Sequence, residues 1–138
     1  MTDQHIISST VVPESNRVKL TSNLFGLTFP LRLEPCIFGI AGRLSSDYRG
    51  GYWQFYVLSN GGFYMAPNRD KPFEVSADNG FEGTLSPDAF GIVICLYAYS
   101  GLSFGGDDFA EVCAEHYHLL REFALDHPEV GSIMAATD

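Results

Sequence analysis

An α+β fold, a small antiparallel sheet packed among helices, is predicted by three observations. Two strand-favouring runs, 52–58 and 63–66, flank Asn60-Gly61, a dipeptide suited to φ > 0 in a tight hairpin turn. Apolar residues recur at three- and four-residue steps through 109–123, the spacing of a helix with one buried face. Helical patterns also lie on both sides of the hairpin instead of alternating with strands. With 138 residues and 46% hydrophobic content, the chain can bury one core, so one domain over 1–138 is expected.

The elements follow in order. Residues 1–11 are largely polar, lack periodicity and are expected to be flexible. Pro13-Glu14 opens a short helix carrying Val18 and Leu20, closed by Phe25-Gly26. Glu34-Pro35 opens a second, with Cys36, Ile37, Ile40, Ala41 and Leu44 at helical spacing and Ser45-Ser46-Asp47 ending it. The central hairpin, about 52–66, comes next. If Asn60 and Gly61 are its two turn residues, Leu58 pairs with Phe63, Val57 with Tyr64 and Tyr56 with Met65. Alternation then puts Trp53, Phe55, Val57 and Tyr64 on one face, and Tyr52, Gln54, Tyr56, Leu58, Phe63 and Met65 on the other. Phe73-Glu74-Val75 is expected to add a third strand, near 73–75, to the same sheet.

Ser86-Pro87-Asp88 is a strong helix opening, joining a capping hydroxyl, a preset proline and a carboxylate at the positive dipole end. The helix it opens, from 87 to about 100, is apolar nearly all round and therefore central. Gly101, Gly105 and Gly106 break it. In the last long helix Asp108 and Glu111 read as an acidic capping pair, and Phe109, Val112, Cys113, His116, Leu119, Leu120 and Phe123 form the stripe. Asp126-His127-Pro128 stops it, and Pro128 opens a short final helix through Ala136.

Charge is divided unevenly within a net −9: residues 1–69 hold six basic against four acidic groups, and residues 70–138 two against thirteen. Direct duplex DNA binding needs a basic surface that displaces counterions, so it is not expected. No apolar run approaches the roughly 20 residues that span a bilayer, and no basic segment precedes an apolar one at the start, so a soluble, unprocessed protein with no membrane partner is expected. Cys36, Cys95 and Cys113 are scattered in apolar stretches without a Cys-x-x-Cys spacing, which suits buried thiols in a reducing cytoplasm.

Three patterns bear on chemistry. Gly101-Leu102-Ser103-Phe104-Gly105 matches the nucleophile-elbow string, with Asp126 and His127 later in the order of a hydrolase triad. The helix opening at Ser86 argues against the strand this motif needs, so a glycine-rich interhelix loop is expected and the hydrolase stays the alternative. His116 and His118 are two apart, about 200° around a helix, and cannot share an ion. His116 reads as a hydrogen-bonded core histidine, His118 as solvated, and no metal or cofactor site is expected. Asp108, Glu111, Glu115, Glu122 and Asp126 line one flank of the long helix and raise a second alternative, imitation of DNA. Over about 27 Å of helix those five charges compare with on the order of 16 on duplex DNA, so an ordinary solvated face is expected.

The string from Asp47 to Pro67, DYRGGYWQFYVLSNGGFYMAP, is followed by Leu85-Ser86-Pro87-Asp88-Ala89-Phe90-Gly91-Ile92-Val93 and by the closing Ala135-Ala136-Thr137-Asp138. In that order these motifs closely resemble the ArdB/KlcA antirestriction family, over about residues 11–138. The resemblance implies a plasmid- or mobile-element-borne protein that protects incoming DNA from type I restriction endonucleases, and it implies no active site. Its partner would be the type I restriction–modification enzyme or an associated host factor. The preferred contact surface is Asp47, Tyr48, Arg49, Gly50, Gly51 and Tyr52, with Tyr56 and Tyr64 as neighbours. Asp47 and Arg49 read as a charged pair there, and the two glycines permit close backbone approach, either internally or to a partner.

Overall fold

The computed structural model describes residues 6–138. Its order is β1 (Ser9–Val11), a 3₁₀ turn (Glu14–Asn16), α1 (Arg17–Phe25), a π-helical turn (Phe29–Leu33), α2 (Glu34–Leu44), β2 (Trp53–Leu58), β3 (Phe63–Pro67), β4 (Phe73–Ser76) and β5 (Glu82–Leu85). Three helices close it: α3 (Pro87–Leu102), α4 (Asp108–Ala124) and α5 (Val130–Thr137). The α+β class stands, with two small antiparallel sheets: β1-β2-β3 and β4-β5. Among the described residues no single helix is long and apolar enough to cross a membrane.

α3 is the hub. Ser86 Oγ caps it by accepting from Ala89 N at 3.1 Å, and the helix packs against β3, α2, α4 and α5. β3 is buried along its whole length beneath it. The two backbones nearly touch at Gly91, where a Cβ would lie 2.4 Å from Ala66 Cβ and 2.5 Å from the Met65 carbonyl oxygen. Tyr99 donates its buried hydroxyl to the Phe63 carbonyl at 2.8 Å, so the aromatic core is wired to the sheet backbone. α4 caps one step earlier than the acidic pattern suggests: Asp107 accepts from Ala110 N at 3.0 Å.

Three expectations about the sheet are corrected. The hairpin register is Val57↔Phe63, Tyr56↔Tyr64 and Phe55↔Met65, one residue from the predicted pairing. The loop is three residues long: Gly61 N donates to the Leu58 carbonyl at 2.9 Å, and Gly61 alone takes a positive φ, +95°. Asn60 serves through its side chain instead, accepting from Gly62 N at 3.0 Å and donating to the Leu119 carbonyl at 2.9 Å. A one-residue slip moves side chains to the opposite face. Tyr64 therefore joins Tyr56, while Phe63 and Met65 join Trp53 and Phe55.

The strand at 73–76 does not extend the hairpin sheet. Arg69 donates to the carbonyls of Lys71 and Pro72, both at 2.8 Å, and lies over the Phe73 ring, so the chain turns away after Pro67 and β4 pairs with β5. The third strand of the hairpin sheet comes from the segment expected to be flexible: Ser9–Val11 pair with Tyr56–Leu58. The expectation for residues 1–5 lies outside the described residues.

Candidate functional site

The loop between α2 and β2 starts where Ser45 turns extended and donates Oγ to the Glu74 carbonyl at 2.7 Å. Asp47 Oδ2 accepts from Glu74 N at 2.9 Å, so this carboxylate ties the loop to β4. Asp47 and Arg49 do not form the expected pair; Arg49 is exposed with no acidic partner among the described residues. Gly50 and Gly51 take φ of +84° and +110°, and nothing lies within 4 Å of where a Cβ would stand on either. Internal packing is thus not what requires them. The left-handed backbone is, and the space beside it is open.

The tyrosines divide by depth. Tyr48 accepts from Trp53 Nε1 at 3.1 Å and packs edge-on to that indole, which is buried. Tyr52 is 48% exposed, with the Arg17 guanidinium 4.6 Å from its ring centre. Tyr56 is half-buried and stacks on Tyr64 at 4.7 Å. Tyr64 is only 1% exposed and cannot belong to a surface, which corrects its place in the candidate set. Both faces of β3 are covered, and the observed register turns this ring toward Asp88 of α3 and Phe123 of α4. What remains open is Arg49, Gly50, Gly51 and Tyr52, flanked by the partly covered Asp47, Tyr48 and Tyr56.

Behind that surface runs a polar chain that sequence reasoning missed. Tyr64 donates to Asp88 Oδ1 at 2.6 Å, and Asp88 Oδ2 lies 2.8 Å from His127 Nε2. His127 Nδ1 accepts from Glu129 N at 3.0 Å, which leaves the Nε2 proton to donate to Asp88. The Glu129 carboxylate in turn accepts from both Ser86 N, at 3.0 Å, and Ser86 Oγ. Burial works against the Asp88 charge, but the hydrogen bonds from His127 and Tyr64 outweigh it and hold the carboxyl below its ordinary range. Burial, then the Asp88 charge, push the Tyr64 hydroxyl far above the ordinary phenol range. The one available signal was Asp88 at the first turn of a helix, which reads equally well as a dipole partner.

This arrangement takes away the base that the Ser103 alternative needs. Both nitrogens of His127 are engaged, by Asp88 and by Glu129, and Ser103 Oγ donates to the Ser100 carbonyl at 2.7 Å in the loop between α3 and α4. His116 is buried between the rings of Phe25 and Tyr99, and His118 is exposed. The hydrogen bond expected for His116 is not found at Nδ1, which is buried without a partner, and burial pushes the imidazole pKa down. Asp108, Glu111, Glu115 and Glu122 are exposed along α4, and Asp126 is exposed just past its end.

Residues 46–138 match the family model described as antirestriction protein. Two Escherichia coli proteins named antirestriction protein KlcA are similar from end to end: one is 43% identical, covering 100% of both chains, the other 39% identical, covering 99% of both. A solved structure from work on the KlcA and ArdB proteins superposes with a TM-score of 0.90 at 38% identity, over 100% of this chain and 99% of that one. Those proteins show a novel fold and antirestriction activity against type I DNA restriction systems in vivo but not in vitro. A family match over well more than half of the sequence, joined to full-length relatives at this identity, means that the chain belongs to the antirestriction protein family.

Proposed function

We propose that this protein inhibits type I restriction–modification endonucleases in the cell, protecting incoming plasmid or mobile-element DNA, and that it does so by protein contact and not by catalysis. The observation that carries this reading is the end-to-end likeness, in sequence and in backbone, to proteins with antirestriction activity against type I systems. Contact is favoured over catalysis because the His127–Asp88 pair is spent on internal hydrogen bonds, while the exposed Arg49 and the half-exposed Tyr52 border a glycine-opened loop. Arg and Tyr are the side chains that most often anchor interfaces. Such action places the protein in the cytoplasm with the restriction enzymes.

Activity in vivo but not in vitro, in the structural neighbour, favours a partner present in cells and missing from a purified reaction. A host factor associated with the endonuclease fits that description better than the endonuclease alone. The test is plating efficiency of unmodified phage on a type I restricting host, with the protein and its Arg49→Ala/Tyr52→Ser variant. Pull-downs from purified type I subunits, with and without added cell extract, accompany it. The wild type is expected to protect, the double variant to lose protection with an unchanged melting temperature, and capture to need the extract. Full protection by the double variant moves the contact surface elsewhere. Ser103→Ala is expected to protect as well as the wild type; loss of protection in a folded Ser103→Ala protein restores the hydrolase.

A further inference from the structure

Next to Tyr52, a groove of about 310 Å³ lies where α1, the π-helical turn and β2 meet. Phe29, Pro30 and Phe55 line it together with Val18, which is 81% exposed. Thr21 also faces it, but its hydroxyl is spent on the carbonyls of Arg17 and Val18. The two remaining lining residues, Arg17 and Glu34, are charged, and no ion pair within 4.0 Å joins them. The Arg17 guanidinium is clamped over the rings of Tyr52 and Phe55, at 4.6 and 4.3 Å, and donates to the Trp53 carbonyl at 2.8 Å. Among the described residues its Nε is buried without a partner. Burial holds the Glu34 carboxyl above its ordinary range, with Arg17 opposing.

We propose that this groove docks a polypeptide segment of another protein, seating one large apolar side chain against Phe29, Pro30 and Phe55 while the flanking peptide groups bond to Arg17 and Glu34. The choice of occupant follows from complementarity. Arg17 can only donate, and ionised Glu34 can only accept. A simple anion satisfies the first and is repelled by the second, and a simple cation does the reverse. A purely apolar ligand covers both charged groups and leaves their hydrogen-bonding capacity unmet, which is costly. A peptide unit carries one acceptor and one donor, and so answers both at once. The volume is at the small end for ligand pockets, suited to one anchor side chain. Arg17, which lines the groove, lies over the Tyr52 ring, and Tyr52 directly follows Arg49, Gly50 and Gly51 in the chain, so the groove borders the open loop. The inference concerns what the groove binds and does not depend on which protein supplies the segment.

The test is an NMR titration of the ¹⁵N-labelled full chain with N-acetyl-L-tryptophanamide, an apolar side chain between two peptide groups. N-acetylglycinamide supplies the peptide groups alone and 3-methylindole the anchor alone. Saturable shifts at the amides of Val18, Thr21, Phe29 and Phe55 are expected with the first, and binding at least about tenfold weaker with either partial probe. Val18→Glu, at an exposed rim position, and Glu34→Ala are each expected to weaken binding about tenfold with the melting temperature unchanged. Absence of saturable shifts overturns the proposal. So does 3-methylindole binding as tightly as the full probe, which makes the groove merely apolar, or shifts unaffected by Val18→Glu, which places binding elsewhere. Self-association that Val18→Glu abolishes assigns the groove to a second copy of this chain and overturns it as well.

Discussion

Tyr64 Oη and Asp88 Oδ1 lie 2.6 Å apart, a bond that joins the middle of β3 to the first turn of α3. His127, between α4 and α5, holds the other oxygen of the same carboxylate at 2.8 Å. A single charge thereby connects the hairpin, the hub helix and the C-terminal helices. Hydrogen bonds to charged groups are worth more than neutral ones, and their partners suffer when left buried and unmet.

Tyr64→Phe is expected to cost about 1 to 2 kcal/mol in chemical denaturation. The carboxyl of Asp88 titrates below its ordinary range in the folded state, so its stabilisation is fully present above the unfolded value, near pH 4, and is lost as pH falls through the depressed folded value. The stability gap between wild type and Asp88→Asn should therefore hold from neutral pH to about 4 and shrink below it. A gap that stays constant down to pH 2.5 means the charge of Asp88 is not what stabilises the fold.

Gly91→Ala is expected to be among the most destabilising single changes available. Its Cβ would sit 2.4 Å from Ala66 Cβ and 2.5 Å from a backbone oxygen, so α3 and β3 must separate. Overpacking of this kind costs about 1 to 3 kcal/mol or more. Gly39→Ala in α2 is the contrast: nothing lies within 4 Å, and the helix should gain about 0.5 to 1 kcal/mol. Thermal melts of the two variants moving in the same direction refute the close approach at Gly91.

Substitutions in the hairpin turn separate two roles. Gly61→Val must take a positive φ and should cost at least about 1 kcal/mol. Asn60→Ala loses its bonds to Gly62 N and the Leu119 carbonyl, at about 1 kcal/mol. Asn60→Gly should be no milder than Asn60→Ala, because backbone freedom is not what Asn60 supplies. If Asn60→Gly melts at the wild-type temperature, the side-chain bonds are unimportant.

Neutralising the flank of α4 with Glu111→Gln, Glu115→Gln and Glu122→Gln together is expected to leave phage protection nearly unchanged. DNA imitation requires a sharp loss, since three of five exposed charges disappear from that flank. Abolished protection with a native circular dichroism spectrum would put imitation first.

The sequence alone determined the helices and the existence of the hairpin, because those signals are local. Ser86-Pro87-Asp88 caps α3 through one side chain and one fixed φ, and the stripe from Phe109 to Phe123 needs only helical spacing to be read. The antirestriction family was legible too, in motifs spread along the chain. Register, sheet partners and depth were not, because each depends on contacts distant in sequence. β1 is exposed at all three residues and carries no alternation, so only its ladder with β2 defines it. The hairpin register differs by one residue from the local expectation, in a loop where Asn60 bonds Leu119 in α4 as well as its own turn. Both faces of β3 are covered, so Tyr64 is buried against Asp88, while Tyr52, just before β2, stays at the surface; composition cannot tell these two residues of like chemistry apart. Asp47 reads in sequence as half of a charged pair with Arg49 and becomes a backbone acceptor only because β4 folds back beside the loop. Which aromatic faces water and which carboxylate is spent internally were decided by tertiary packing, where one buried donor needed one acceptor within reach.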